Sequence, residues 1–250
     1  MRLILLSLLY GIALVASAQP VEVLLLGADD ATLQPLLAKM ERPQLEKHAT
    51  WSFWSGKLAG RSVVLARTEG DPLNAVVVTT LGIHLHPPHL IISYGVARAH
   101  DPALCAGDIV VSEGFAAFDG VQSWRRELGE GSDAIEWRVL PHLFLTPEGT
   151  EKAERIFPAD RKAVGLGLSL HNPNGRVVGG VLGSANQINR EIDRIAWLRS
   201  HWGSSCEDAE SGHIAGCALA LGVPVIGLRV IEGQPTQAAA AALEFLEAGR

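Results

Sequence analysis

The sequence predicts an α/β fold, one domain built on a mostly parallel or mixed sheet. Two observations carry this. Continuous apolar strands, of the kind buried on both faces, alternate with helical segments from end to end. No Pro/Ser-rich linker, charge block or repeat divides the 250 residues. With 48% hydrophobic and 19% charged side chains, the composition is that of a globular chain. A net charge of −6 gives a nucleic-acid partner no electrostatic support.

The first segment, MRLILLSLLYGIALVASAQP, stands apart. Arg2 supplies a short positive start, Leu3 to Val15 is apolar, and Ala16-Ser17-Ala18 is a small-x-small cleavage pattern. Residues 1–18 therefore read as a secretory signal peptide and residues 19–250 as the folded domain, periplasmic or secreted. An apolar run of about 13 residues is short for a bilayer span. A retained anchor is the alternative, and contact with a membrane is expected through this uncleaved segment only. Cleavage leaves 20 basic and 27 acidic side chains, a net charge of −7.

The remaining elements follow in order. VEVLLL is a buried strand ending at Gly27-Ala28-Asp29-Asp30, and ATLQPLLAKM has helical spacing. WSFWSGKLAGRSVVLARTEG reads as a hairpin turning near Ala59-Gly60. A Gly-Asp-Pro start opens a helix over 71–81. HLIISYG is a strand stopping at Gly95, and DIVVSEGFAAFDG is another. The pattern over 122–145 is ambiguous. TPEGTEKAERIF, residues 146–157, reads as a capped helix with Pro147 near its start. RVVGGVLGSAN is a Gly-rich strand and turn, and 189–201 is an amphipathic helix. A helix over 207–221 is stopped by Gly222, VPVIGLRVI is a buried strand, and TQAAAAALEFLEAG is a strong helix.

Cys105, Cys206 and Cys217 match no metal spacing. A Cys206–Cys217 bridge is disfavoured, because the expected helix would separate the two. His84, His86 and His89 in HLHPPH read as a surface loop rather than a metal site. His100, His171 and His213 read as structural, and no metal or other cofactor is implied.

Ligands of such sheets sit at the carboxyl ends of strands. That gathers residues 27–32, 68–74, 94–100, 184–189 and 231–234, together with the acidic turn EDAESGHIAG of 207–216. Glu207, Asp208 and Glu210 have two readings. They favour the positive end of a helix, or one of them grips a ligand.

The pieces LLLGADD, RTEGDPLNA, IISYGVARAHDPALCAGDIVVSE, VLGSANQINREIDRIAWL and SCEDAESGHIAGCALALGVPVIGLRVI, in this order, cover nearly all of the mature chain. Their combination resembles the nucleoside phosphorylase/nucleosidase superfamily, most closely the 5′-methylthioadenosine/S-adenosylhomocysteine nucleosidases. The resemblance implies a single-domain three-layer fold, a central mixed β-sheet flanked by helices. It also implies cleavage of the N-glycosidic bond of a nucleoside and, by resemblance alone, a homodimer. The family's Met-Glu pair aligns with Ala209-Glu210. That assigns Glu210 to the ribose hydroxyls, which a buried carboxylate accepts as charge-assisted hydrogen bonds. Asp208 and Ala209 flank the sugar, and Arg229 lies near the attacking water or in an internal ion pair with Glu210.

Elsewhere the pattern is broken. The carboxylate that positions water falls on Thr32, with Asp29 and Asp30 nearby. The acid that protonates the base falls on Gly233, one residue after Glu232, which becomes the substitute candidate. The sugar loop is Gly95-Val96-Ala97-Arg98. In the base loop, Asn186 stands for an Asp and Ile188 for a stacking aromatic. Two functions stay open: an exported purine-nucleoside or thionucleoside hydrolase, and a catalytically impaired relative that binds nucleosides or a protein partner. Phosphorolysis is disfavoured, with Arg98 the one cation to argue for it.

Overall fold

A computed structural model describes residues 20–249. The leader reading of residues 1–18 lies outside the described residues. In chain order the domain runs β1 (Val21–Gly27), α1 (Asp30–Leu37), β2 (Glu41–His48), β3 (Trp51–Leu58), β4 (Arg61–Arg67), α2 (Pro72–Leu85), β5 (Pro88–Ala99) and β6 (Ile109–Ala117). It continues with β7 (Val121–Gln122), a 3-10 turn at Ala134–Glu136, β8 (Arg138–Val139), β9 (His142–Leu145), β10 (Glu151–Glu154) and β11 (Phe157–Pro158). Then come α3 (Arg161–Leu168), β12 (Val177–Ser184), α4 (Ile192–Trp202), β13 (Ser204–Asp208), α5 (Ser211–Ala220), β14 (Val225–Ile231) and α6 (Pro235–Ala248).

The ten-stranded sheet is mixed, in the order β11-β6-β12-β13-β5-β1-β4-β3-β2, with β14 paired to both β5 and β6. Strand β1 shows why it is central. VEVLLLG has no polar face, so it is flanked by parallel β4 and β5 and covered on both sides. The pairings β5-β13, β13-β12, β12-β6, β6-β14 and β14-β5 close into a ring. Register shifts at Gly180/Val181 and Val181/Leu182 bend β12 through that closure. Helices α1 and α6 pack on each other, as do α2 and α5. The expected central mixed sheet flanked by helices is the architecture found.

The expected Ala59-Gly60 hairpin joins β3 to β4, with both turn residues left-handed at φ 51° and 76°. Four expectations are corrected. Residues 146–157 form no helix; β9 and β10 make a hairpin there. Gly149 N–H donates to Thr146 O at 2.8 Å. The Thr-Pro-Glu-Gly run is a turn with Pro second and Gly fourth, a pattern that mimics a helix start. Strand β5 does not stop at Gly95 but runs on to Ala99. The helix expected over 207–221 starts at Ser211, because Glu207 and Asp208 end strand β13. His86 is buried, packed on Phe53, rather than part of a surface loop.

The chain closes up most tightly at Gly183. A Cβ there would enter the Phe118 ring, 2.6 Å from Cε1 and Cε2. Phe118 is itself stacked on His100 and tilted against Trp202. Gly183→Ala is expected to cost about 1–3 kcal/mol by overpacking, read as a lower urea midpoint with an unchanged slope. A midpoint equal to wild type would show that the ring can yield.

Candidate active site

Strands β1, β5 and β14 run parallel, so their carboxyl ends open on one side. A cavity of about 530 Å³ lies there. Strand β13 and the start of α5 bring Glu207, Asp208, Ala209 and Glu210 to its wall. From the expected site, Gly95, Val96, Ile188, Arg229 and Glu232 also line it. Asn186 does not. Its Nδ2 donates to Asp71 Oδ2 at 3.1 Å, and the neighbouring Gln187 takes the cavity position.

The three carboxylates of the acidic turn do different work. Asp208 starts α5: its Oδ1 accepts from Glu210 N and Ser211 N, both at 2.7 Å. Its Oδ2 accepts from Arg229 Nε at 2.8 Å, so the ion pair of Arg229 is with Asp208 and not with Glu210. Arg229 also donates to Ser93 O, Leu228 O and Ser93 Oγ. It is buried and neutralised, and these four bonds leave one Nη2 hydrogen over. Glu207, expected as a helix-start charge, instead accepts from Asn189 N at 3.1 Å and Asn189 Nδ2 at 2.6 Å. His100 Nε2 lies 3.2 Å from it, and His100 Nδ1 meets Ser204 Oγ at 2.8 Å. Burial works against the Glu207 charge, yet the His100 and Asn189 bonds outweigh it and hold the carboxyl below its usual range. It thereby fastens the loop that carries Gln187 and Ile188.

Glu210 is left for the ligand. Its side chain caps nothing, and the residue is only 3% exposed. Thr68 Oγ1 donates to its Oε2 at 2.5 Å. Burial pushes its pKa up to about 7, helped by the charges of Asp208 and Asp29, while Thr68 and Arg229 pull it down.

Asp29 is the residue that the sequence pattern had set aside. It lines the cavity, whereas Asp30 points to Arg67 at 2.7 Å. Asp29 Oδ1 accepts from Thr32 N at 2.8 Å and Thr32 Oγ1 at 2.7 Å. Thr32 thus orients a carboxylate three residues before the position where one was expected. Tyr94, fully buried, donates to Thr32 O at 3.3 Å and holds that turn.

Glu232 also lines the cavity, in a left-handed conformation, φ 44°, its N–H bonded to Ala97 O at 2.9 Å. At Gly233 a Cβ would collide with Val230 Cγ1 and lie 2.9 Å from Gln237 Oε1. An acidic side chain does not fit at 233 with this backbone. Cys105, Cys206 and Cys217 are free, Cys206 on β13 rather than one helix away from Cys217, and burial raises the Cys206 thiol.

The family model of the phosphorylase superfamily matches residues 22–249. The chain is 24% identical to the 5′-methylthioadenosine/S-adenosylhomocysteine nucleosidase of Bacillus cytotoxicus over 210 residues, 82% of this chain and 83% of that one. It is 31% identical to the nucleosidase of that name from Pseudoalteromonas translucida over 107 residues, 42% of this chain. That match spans about half of the relative's length, 46%. Among solved structures, the S-adenosylhomocysteine nucleosidase of Streptococcus pyogenes superposes with a TM-score of 0.74 at 16% identity, covering 91% of this chain and 97% of that one. The futalosine hydrolase of Helicobacter pylori gives 0.71 at 18%, covering 92% and 97%. At these identities the structural likeness shows the fold.

Proposed function

Because the chain belongs to the phosphorylase superfamily, we propose that it is a nucleosidase, hydrolysing the N-glycosidic bond of a purine nucleoside or thionucleoside. The observation that carries this is the pairing in one cavity of buried Glu210 with a second carboxylate, Asp29. Glu210 accepts the ribose hydroxyls, and its charge favours the cationic sugar that forms as the C1′–N bond breaks. Asp29 takes a proton from the attacking water as the new C1′–O bond forms. The departing base ends with one proton, so the reaction balances. The relatives named above are nucleosidases and a futalosine hydrolase, which supports this reading.

Arg229 supports water over phosphate as the nucleophile, since its charge is already met by Asp208. A second reading rests on Gly233: with no side chain to protonate the base, the protein binds nucleosides without turning them over. Purified protein incubated with a nucleoside panel, with and without phosphate, separates the two. Free base released without phosphate is expected, and ligand binding with no release would favour the second reading.

We further propose that the protein is exported and homodimeric. Mass measurement of the exported form is expected to show an N-terminus at Gln19; an intact Met1 would refute processing. Leu73, Val76 and Val77 on α2 and Leu221 after α5 are exposed on one apolar face, which supports self-association. Light scattering is expected to give twice the chain mass, and a monomer mass would overturn it.

A further inference from the structure

We propose that Arg98 selects 6-oxopurine nucleosides, by presenting its guanidinium to O6 and N7 of the base. This rests on the nucleosidase reading of the cavity and names its substrate class.

Arg98 lines the cavity and is exposed. Among the described residues it has no ion pair or hydrogen-bond partner for its side chain. The other cation of the cavity, Arg229, is held by Asp208 and Ser93. Two carboxylates stand near Arg98 and neither pairs with it. Glu207 faces it across the β13-β5 ladder but is held by Asn189 and His100. Glu232 lies past the Ala97-Ile231 rung, on the left-handed turn.

Position decides what Arg98 meets. In the nucleosidase reading Glu210, Asp29 and Arg229 serve the sugar and the water. Val96, Ala97 and Ile188 give the cavity apolar lining for a flat ring. Arg98 follows Ala97, whose carbonyl accepts from Glu232 N, and faces Glu207, which holds Asn189 next to Ile188. Gly233 has no room for a carboxyl, so no side chain at 233 competes with Arg98 for the base. A guanidinium has only donors. On its O6/N7 edge a 6-oxopurine shows two acceptors and is matched bidentately. A 6-aminopurine shows N7 and an N–H donor, which faces the guanidinium donor to donor.

The same contact assists bond breaking. As the C1′–N bond breaks, its electron pair goes to the base, and the two guanidinium N–H groups hold the resulting anion. A guanidinium holds the anion by donating hydrogen bonds, without giving up a proton. The base then takes its proton from solvent, to which Asp29 returns the one drawn from water.

The test compares kcat/KM for inosine and guanosine with that for adenosine and 5′-methylthioadenosine, in wild type, Arg98→Ala and Arg98→Lys. Wild type is expected to prefer the 6-oxopurines by about tenfold or more, the scale of one good bidentate pair. Arg98→Ala is expected to lose most of that preference, by slowing the 6-oxopurines. Arg98→Lys should restore only part of it, having charge without the fork. Preference for the 6-aminopurines in wild type, or an unchanged ratio in Arg98→Ala, overturns the proposal. So does base release that depends on phosphate with a phosphate KM raised by Arg98→Ala, which would assign the cation to phosphate.

If no nucleoside is turned over, the nucleosidase reading fails on its own and calorimetry with free hypoxanthine and adenine decides. Tighter hypoxanthine binding that is lost in Arg98→Ala supports the role of Arg98. Equal affinities, or no binding of either base, overturn it.

Discussion

Glu210→Gln is expected to raise the melting temperature above pH 7 while cutting nucleoside turnover. The two effects have one cause. The folded-state pKa of Glu210 is about 7 against an ordinary 4.5, because burial disfavours the charge. A carboxyl shifted upward contributes stability that is fully present below about 4.5 and is lost as pH rises through about 7. At pH 8 the wild-type protein therefore carries a buried charge costing up to roughly 3 kcal/mol, which an uncharged Gln does not. Near pH 5 the two proteins should melt nearly alike. Catalysis runs the opposite way, since the ribose hydroxyls need the anion as acceptor. The loss in binding or turnover should be roughly 1.5–3 kcal/mol, the scale of hydrogen bonds to a charged group. Wild-type activity should also rise as pH passes through about 7, and the Gln variant should lack that rise. A Gln variant that melts lower at pH 8 and keeps full activity would make the carboxylate a structural group. The geometry speaks against that, because the helix start is held by Asp208.

What the sequence allowed and what it hid follow from physical range. Strands such as VEVLLLG and VIGLRVI are apolar but for Glu22 and Arg229, and a place inside a covered sheet suits them. Their parallel pairing with β5 puts Gly95 beside Arg229 on the cavity, whereas Glu210 arrives from β13, which meets β5 antiparallel. The hairpin at 142–154 was hidden, since Thr-Pro-Glu-Gly serves a turn and a helix start equally until a partner strand is known. The split roles of Glu207, Asp208 and Glu210 were also hidden. They depend on His100, Asn189, Arg229 and Thr68, which are remote in sequence and whose side chains reach them only after folding. Asn186 looked like a ligand residue by its position in a loop, but Asp71 on another element takes its amide. The role of Thr32 could have been read locally. An Asp three residues before a Thr at the start of a helix is a capping pattern, and the cap turns that Asp toward the strand end.

Asp29→Asn is expected to lower kcat/KM by about 10²–10⁴-fold, the usual worth of a positioned general base, with little change in folding. The substitution separates chemistry from structure because Asn caps a helix about as well as Asp. It keeps an oxygen for Thr32 N and Thr32 Oγ1, and so keeps the start of α1. It removes the proton acceptor. A second consequence follows from charge. Asp29 is one of the groups that raise Glu210, so without it the Glu210 carboxyl should ionise at lower pH. The residual activity of Asp29→Asn should therefore climb at a lower pH than wild type, even as its ceiling falls. Thr32→Val serves as a graded control, since it deletes the Oγ1 bond that aims Asp29 and leaves the carboxylate in place. Its loss should be smaller than that of Asp29→Asn and should leave the pH profile in position. Wild-type rates in Asp29→Asn, or a fall with no movement of the profile, would take water activation away from this carboxylate. The remaining candidate on the cavity wall would then be Glu232.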